Sequence, residues 1–182
     1  MTLDASVFIA ISLDGYIARP DGAIDWLEQA NASVPAGEDC GYAAFMETVD
    51  LLVMGRGTFE KVLSFSEWPF GDKPVWVASR SGLRLPATLP PQVRVTADAP
   101  LQIVQAAQDQ GFRRMYVDGG RLIQAFLREG LIHDLTITTI PVLLGVGRPL
   151  FGELPADTRL QLVASRAYPF GFVQSTYRVV PG

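Results

Sequence analysis

Apolar and polar positions along this chain switch between the period of a strand and the period of a helix. Ser6 to Leu13 is a near-continuous apolar run, the pattern of a strand buried on both faces, and Asp14-Gly15 ends it. Arg19-Pro20-Asp21-Gly22 is turn chemistry, and residues 23–38 read as irregular, broken by Pro35 and Gly37. Tyr42, Phe45, Met46 and Val49 recur at helical offsets and predict a helix from Asp39 to Val49. Leu51 to Met54 is a second strand, followed by a helix that includes Phe59 to Leu63. After the Trp68-Pro69-Phe70-Gly71 loop, Pro74 to Ser79 is a third strand. Arg84 to Pro91 is Pro-rich and loop-like, and Val93 to Val95 is a short strand candidate.

The second half continues the alternation. Asp98 is placed to cap a helix with Pro100 in its first turn and Gly111 at its end. Met115 to Asp118 is a strand, Gly119-Gly120 leads into a helix from Arg121 to Glu129, and Gly130 closes it. Leu135 to Leu144 is a long β-branched strand. Leu160–Ala167 and Val173–Val180 then alternate as strands of a hairpin, with Tyr168-Pro169-Phe170-Gly171 as the turn. The fold class expected is α/β, with a mixed, mostly parallel sheet and a C-terminal antiparallel hairpin. At 182 residues without repeats or linkers, residues 1–182 are expected to form one domain.

Composition removes several function classes. A net charge of −4 and the lack of any Lys/Arg run argue against a nucleic-acid surface. No apolar stretch approaches the roughly 20 residues that cross a bilayer, so no membrane partner is expected. One cysteine, Cys40, precludes an internal disulfide and fits a reducing, cytoplasmic setting, as does an N-terminus without a basic signal-like region. One histidine and one cysteine make a His/Cys zinc cluster unexpected, and no metal site is assigned.

Three strand ends carry chemistry suited to phosphate. In Gly55-Arg56-Gly57-Thr58 the glycines let the backbone approach closely, Thr58 offers a hydroxyl and Arg56 a planar cationic fork; the same glycines would also serve a plain strand-to-helix turn. Ser79-Arg80-Ser81 pairs hydroxyls with a guanidinium, enough for a monoester phosphate, or makes an ordinary polar loop. Asp118-Gly119-Gly120-Arg121 is again strand, glycine pair and helix start, suited to a pyrophosphate or to a tight turn. Three such loops at the carboxyl ends of strands point to a dinucleotide carrying an extra phosphate, NADP rather than NAD.

Other motifs take plainer readings. No Gly-x-Gly-x-x-Gly follows the first strand, and Gly145-Val146-Gly147 precedes Arg148-Pro149, which cannot open a helix, so it reads as a turn. His133 reads as a cap or solvent-facing residue, Cys40 lacks a basic partner in sequence, and Trp26, Trp68 and Trp76 read as core or pocket wall. Asp14 beside Gly15 reads as a turn residue.

In this order, Ile11 to Ala18, Met54 to Glu60, Val117 to Leu122, and Gly130 to Leu135 continuing through Pro141 to Gly145 resemble the dihydrofolate reductase-like superfamily. The resemblance is strongest to stand-alone proteins like the C-terminal reductase domain of the bifunctional riboflavin-pathway deaminase/reductase. It implies a three-layer α/β/α fold with NADPH lying across the strand ends. Gly55, Arg56 and Thr58 would hold the cofactor's phosphates. Ser79 and Arg80 would meet the adenosine side and its 2′-phosphate, and Gly119, Gly120 and Arg121 would cradle the pyrophosphate. Ala10 and Ile17 would flank the nicotinamide. It also implies a homodimer and a small heterocyclic substrate, either pterin-like or a ribosylaminopyrimidine such as 5-amino-6-(5-phosphoribosylamino)uracil.

The chain departs from the pattern it resembles around the substrate. Tyr16 stands where riboflavin-pathway reductases usually carry a basic residue, and Glu60-Lys61-Val62 where they carry an Asp. No His-x-Glu or Cys-x-x-Cys deaminase signature is present. The expected activity is hydride transfer from NADPH to a C=N or C=O bond. Asp118, Asp39 or Glu28 would supply the proton, if burial raises its pKa, and Asp39 is equally suited to cap a helix. A non-catalytic NADP-binding dimer acting as sensor or scaffold is the alternative.

Overall fold

Alternation along the strands decides which side of the sheet each residue serves. A computed structural model describes residues 3–181. Its strands are β1 (Asp4–Ser12), β2 (Tyr16–Ala18), β3 (Leu51–Gly55), β4 (Val75–Ala78), β5 (Val93–Thr96), β6 (Arg114–Asp118), β7 (Asp134–Ile140), β8 (Arg148–Pro149), β9 (Leu160–Ala167) and β10 (Val173–Val179). Its helices are α1 (Asp25–Asn31), α2 (Tyr42–Thr48), α3 (Arg56–Val62), α4 (Pro100–Asp109) and α5 (Gly120–Arg128).

Among the described residues, eight strands form one sheet in the order β5-β4-β3-β6-β1-β7-β10-β9. The pairs from β5 through to β7 are parallel, and β10 pairs antiparallel with both β7 and β9. Leu51, Val53, Met115 and Val117 face one side and pack with Ile103 and Ala107 of α4 and Ile123 and Phe126 of α5. Leu52, Met54 and Tyr116 face the other, against Phe59 and Val62 of α3 and Phe45 and Met46 of α2. Trp26 of α1 continues that second layer over Ile140, Tyr168 and Phe172. The result is a three-layer α/β/α sandwich with the expected antiparallel C-terminal strands. Near-complete burial of β3, β4 and β6 explains why they read as unbroken apolar runs.

Several boundaries differ from the sequence reading, for physical reasons. Residues 23–38 include a helix, α1, which gains its stability by burying Trp26 and by the pair between Arg19 and Asp25 at 2.6 Å. Asp98 does not cap α4: the N-cap is Ala99, whose amide donates to Gln102 Oε1, while Asp98 accepts from the Thr96 hydroxyl. The long strand stops at Ile140 because Pro141 follows. The Gly145–Gly147 segment is a turn, but it delivers β8, which pairs with the equally short β2. A side chain on Gly147 would meet the Ala18 carbonyl at 2.5 Å, so this crossing requires glycine.

Candidate active site

The carboxyl ends of β1, β3, β4 and β6 open into one cleft of about 1930 Å³, roofed on one side by the β2–β8 pair and on the other by α1 and α2. This is where an open parallel sheet places its ligands. Ala10, Ile17, Asp39, Gly55, Arg56, Thr58, Ser79, Arg80, Asp118, Gly119, Gly120 and Arg121 all line it. Glu28 does not: it lies on α1 with its carboxylate 3.8 Å from Lys61 Nζ and largely in solvent.

The three arginine-bearing loops converge on one half of the cleft. Arg56 opens α3, and its guanidinium donates to Glu60 Oε1 at 2.7 Å and to Ser81 Oγ at 3.1 Å, tying the ends of β3 and β4 together. Ser79 donates to the Ser81 carbonyl, which shapes the loop that carries Arg80. Gly119 has φ +99°, and a side chain there would meet Thr58 Oγ1 at 2.5 Å; the third loop therefore rests directly on the first. On Gly120 a side chain would meet Ile17 Cδ1 at 2.7 Å. These approaches explain in steric terms why both positions are glycine.

Four carboxylates line the cleft, and their surroundings differ. Glu38 accepts from the Cys40 amide at 2.8 Å and meets Arg166 at 3.5 Å. Asp39 accepts from the amides of Ala43 and Gly41, which holds its carboxyl below the usual range and ties it to the start of α2, whose N-cap is Gly41. Asp98 accepts from Thr96 at the far end. Asp118 projects from the end of β6 on the side of Tyr116 and is partly buried. Burial pushes its pKa up to about 6, against the smaller opposing effect of a hydrogen bond from the Gly119 amide at 2.8 Å.

Tyr42 shares this half of the cleft. Burial, together with the neighbouring Asp118 carboxylate, pushes its phenol up to about 12, so it stays neutral. Its ring stands edge-on to Phe8, which stacks on Phe45. Tyr116 is engaged elsewhere, donating to the Phe8 carbonyl at 2.8 Å. In sequence Tyr42 reads only as one member of an apolar helical stripe. Lys61, Thr138 and Arg148 also line the cleft with no local motif to mark them, since each is contributed by an element whose place depends on long-range pairing.

The three-layer sandwich with its antiparallel C-terminal strands is a dihydrofolate reductase-like fold. Residues 6–173 match the RibD C-terminal domain family, and the chain belongs to that family. It is 35% identical over 166 residues to the uncharacterized protein YwjB of Bacillus subtilis, spanning 89% of this chain and 90% of that one. A solved protein from Shewanella sp. PV-4, provisionally assigned to riboflavin biosynthesis, superposes with a TM-score of 0.91 at 40% identity, over 98% of this chain and all of that one. The Thermotoga maritima deaminase/5-amino-6-(5-phosphoribosylamino)uracil reductase shares the fold at a TM-score of 0.72 and 13% identity; 98% of this chain matches 57% of that one. Dihydrofolate reductase from Enterococcus faecalis, solved with NADP(H), shares it at 0.65 and 17%, over 98% and 97% of the two chains.

Proposed function

We propose that the protein is an NADPH-dependent reductase of a planar heterocycle, with Asp118 as its proton donor. The observation that carries this reading is the contrast among the cleft carboxylates. Glu38, Asp39 and Asp98 are committed to holding loops, whereas Asp118 has only the Gly119 amide as a partner among the described residues and a pKa of about 6. A carboxyl poised there holds a proton in reach of neutral pH and releases it readily, as a general acid must.

The cleft's donor set fits a phosphorylated dinucleotide. Arg56 and Thr58 sit at the β3 end, Ser79 and Arg80 at the β4 end, and Arg121 in the first turn of α5, whose opening amides lack helical partners. Gly119 and Gly120 let their loop pass close against Thr58 and Ile17, and Ala10 and Ile17 present small or aliphatic walls suited to a nicotinamide. When bound, NADPH supplies a hydride, and reduction of a C=N or C=O bond then requires one proton on the heteroatom. Asp118 delivers that proton and recovers one from solvent. The substrate half, walled by Phe8, Leu27, Val34 and Tyr42, takes a flat ring, pterin-like or a ribosylaminopyrimidine.

Exposure along the last strands supports a homodimer. Every residue of β9 is exposed, including Leu160, Leu162 and Val163, and β9 leaves one long edge unpaired among the described residues.

Titration with NADPH and NADH, followed by energy transfer from tryptophan to the nicotinamide, tests the reading. NADPH-selective binding that Arg80→Ala abolishes is expected. NADPH binding without oxidation by dihydrofolate or by 5-amino-6-(5-phosphoribosylamino)uracil would favour a sensor or scaffold, and no binding to either nucleotide would end the enzyme reading.

A further inference from the structure

On the cleft side of the sheet, Ala10, Thr138 and Gln174 lie in one row across β1, β7 and β10, because each is the registered partner of the next. Registered partners point to the same face. Ala10 contributes only a methyl group, so the Thr138 hydroxyl, though 5% exposed, reaches the cleft floor.

The polarity of that hydroxyl is set from behind. Gln174 Nε2 donates to the Cys40 carbonyl at 2.9 Å and to Thr138 Oγ1 at 2.9 Å. The carbonyl admits only a donor, which fixes the amide's orientation: reversing it would set two oxygens against each other. With both amide hydrogens committed, Thr138 is an acceptor toward Gln174. Its own hydrogen meets no protein acceptor among the described residues, and the side from which an acceptor can arrive is the cleft.

We propose that Thr138 is a specificity-determining residue whose unpaired hydroxyl hydrogen, directed by the bond from Gln174, reads a ring carbonyl of the bound heterocycle. Gln174 acts as a positioning residue. The inference rests on the reading of the cleft as a site for a flat ring beside NADPH. An amine presented at this point has only the second lone pair of the hydroxyl to use and, like an apolar edge, leaves the hydroxyl hydrogen without an acceptor.

Lumazine and pterin are suitable probes, since they differ in a carbonyl against an amine at one ring position. A dioxo ring offers a carbonyl on either side of its ring N–H. Binding of each to the NADP⁺-loaded protein is measured calorimetrically, after NADPH affinity has been measured for every variant. The wild-type protein is expected to bind lumazine more tightly than pterin. Thr138→Val weakens lumazine by roughly tenfold and removes the preference, Thr138→Ser retains both, and all three proteins bind NADPH equally. Gln174→Glu, which offers Thr138 an acceptor in place of a donor, also erases the preference. Equal binding of the two probes by the wild-type protein, equal losses in Thr138→Val and Thr138→Ser, or a loss that extends to NADPH would each overturn the assignment. A wild-type protein that binds NADPH and neither probe overturns it too while leaving the cofactor reading intact. One that binds no NADPH removes the reading beneath it.

Discussion

The guanidinium of Arg56 reaches the hydroxyl of Ser81 across 3.1 Å, so the first turn after β3 and the loop after β4 share one cation. Glu60 holds the same guanidinium from the side at 2.7 Å and fixes its plane. A fork held in this way is oriented before any phosphate arrives. Arg56→Ala is expected to weaken NADPH binding by about 1.5–3 kcal/mol, the usual worth of a charged hydrogen bond, with the protein still folded. Unchanged affinity by fluorescence titration would remove Arg56 from the cofactor site.

If Asp118 supplies the proton, activity depends on pH in a stated direction. That proton is lost through a pKa of about 6, so kcat is expected to fall above that pH, approaching tenfold per unit. Asp118→Asn should lower kcat by roughly 10²–10⁴ and flatten the profile. A variant as active as wild type, or a wild-type rate that rises with pH through this range, would assign the proton to another group.

The same shift bears on stability. Because the folded-state pKa of about 6 lies above the ordinary value of 3.8, the native state holds an extra proton between the two. The stabilising contribution is complete below the lower value and is lost as pH rises through the upper one. Asp118→Asn is therefore expected to raise unfolding free energy at pH 8, on the order of 2 kcal/mol because the cleft keeps part of the carboxylate wet, and to change little at pH 3.5. Denaturant titrations at the two pH values decide it.

Two glycines in the strand-end loops should respond in opposite ways. Gly119 has φ +99° and no room beside Thr58, so Gly119→Ala is expected to cost about 1–3 kcal/mol of stability. Gly57 has no positive φ, and a methyl group placed on it would meet no atom within 4 Å. Gly57→Ala in α3 should therefore leave stability unchanged or raise it by up to about 1 kcal/mol. Thermal denaturation of the pair checks the contrast; equal losses would contradict it.

If β9 is the face between two subunits, charge placed there should part them. Leu162→Lys combined with Val163→Lys is expected to shift sedimentation from dimer to monomer without loss of helical signal. A protein that sediments as a monomer before substitution would refute the dimer.

Much of the fold is legible because it is written in local pattern. The buried strands β3 and β6 announce themselves as apolar runs, and each ends in a glycine-rich turn, so the two loops around Arg56 and Arg121 can be read with their chemistry. Helix α1 is hidden because its apolar positions Ile24, Trp26, Leu27 and Ala30 sit between turn signals, and its cap position is Ile24, which carries no capping side chain. The strands β2 and β8, three and two residues long, exist only through each other. In sequence Asp39, Glu28 and Asp118 stand equal as acids. Their separation depends on which amides and cations fold against them, and no spacing rule states that. Thr138 and Gln174 meet through strand register alone, 36 residues apart.

Asp14 reads in sequence as a turn residue, but its carboxylate accepts from the Ser12 hydroxyl and from the amides of Leu144 and Gly145, which hold its pKa below the usual range. The turn after β1 and the loop after β7 are thus fastened at one point, just before they run into β2 and β8. Those two segments are therefore expected to open together. Deuterium uptake at the amides of Leu144 and Gly145 should rise and fall with uptake in residues 16–18, so that a single labelling experiment times the movement of the cleft's roof.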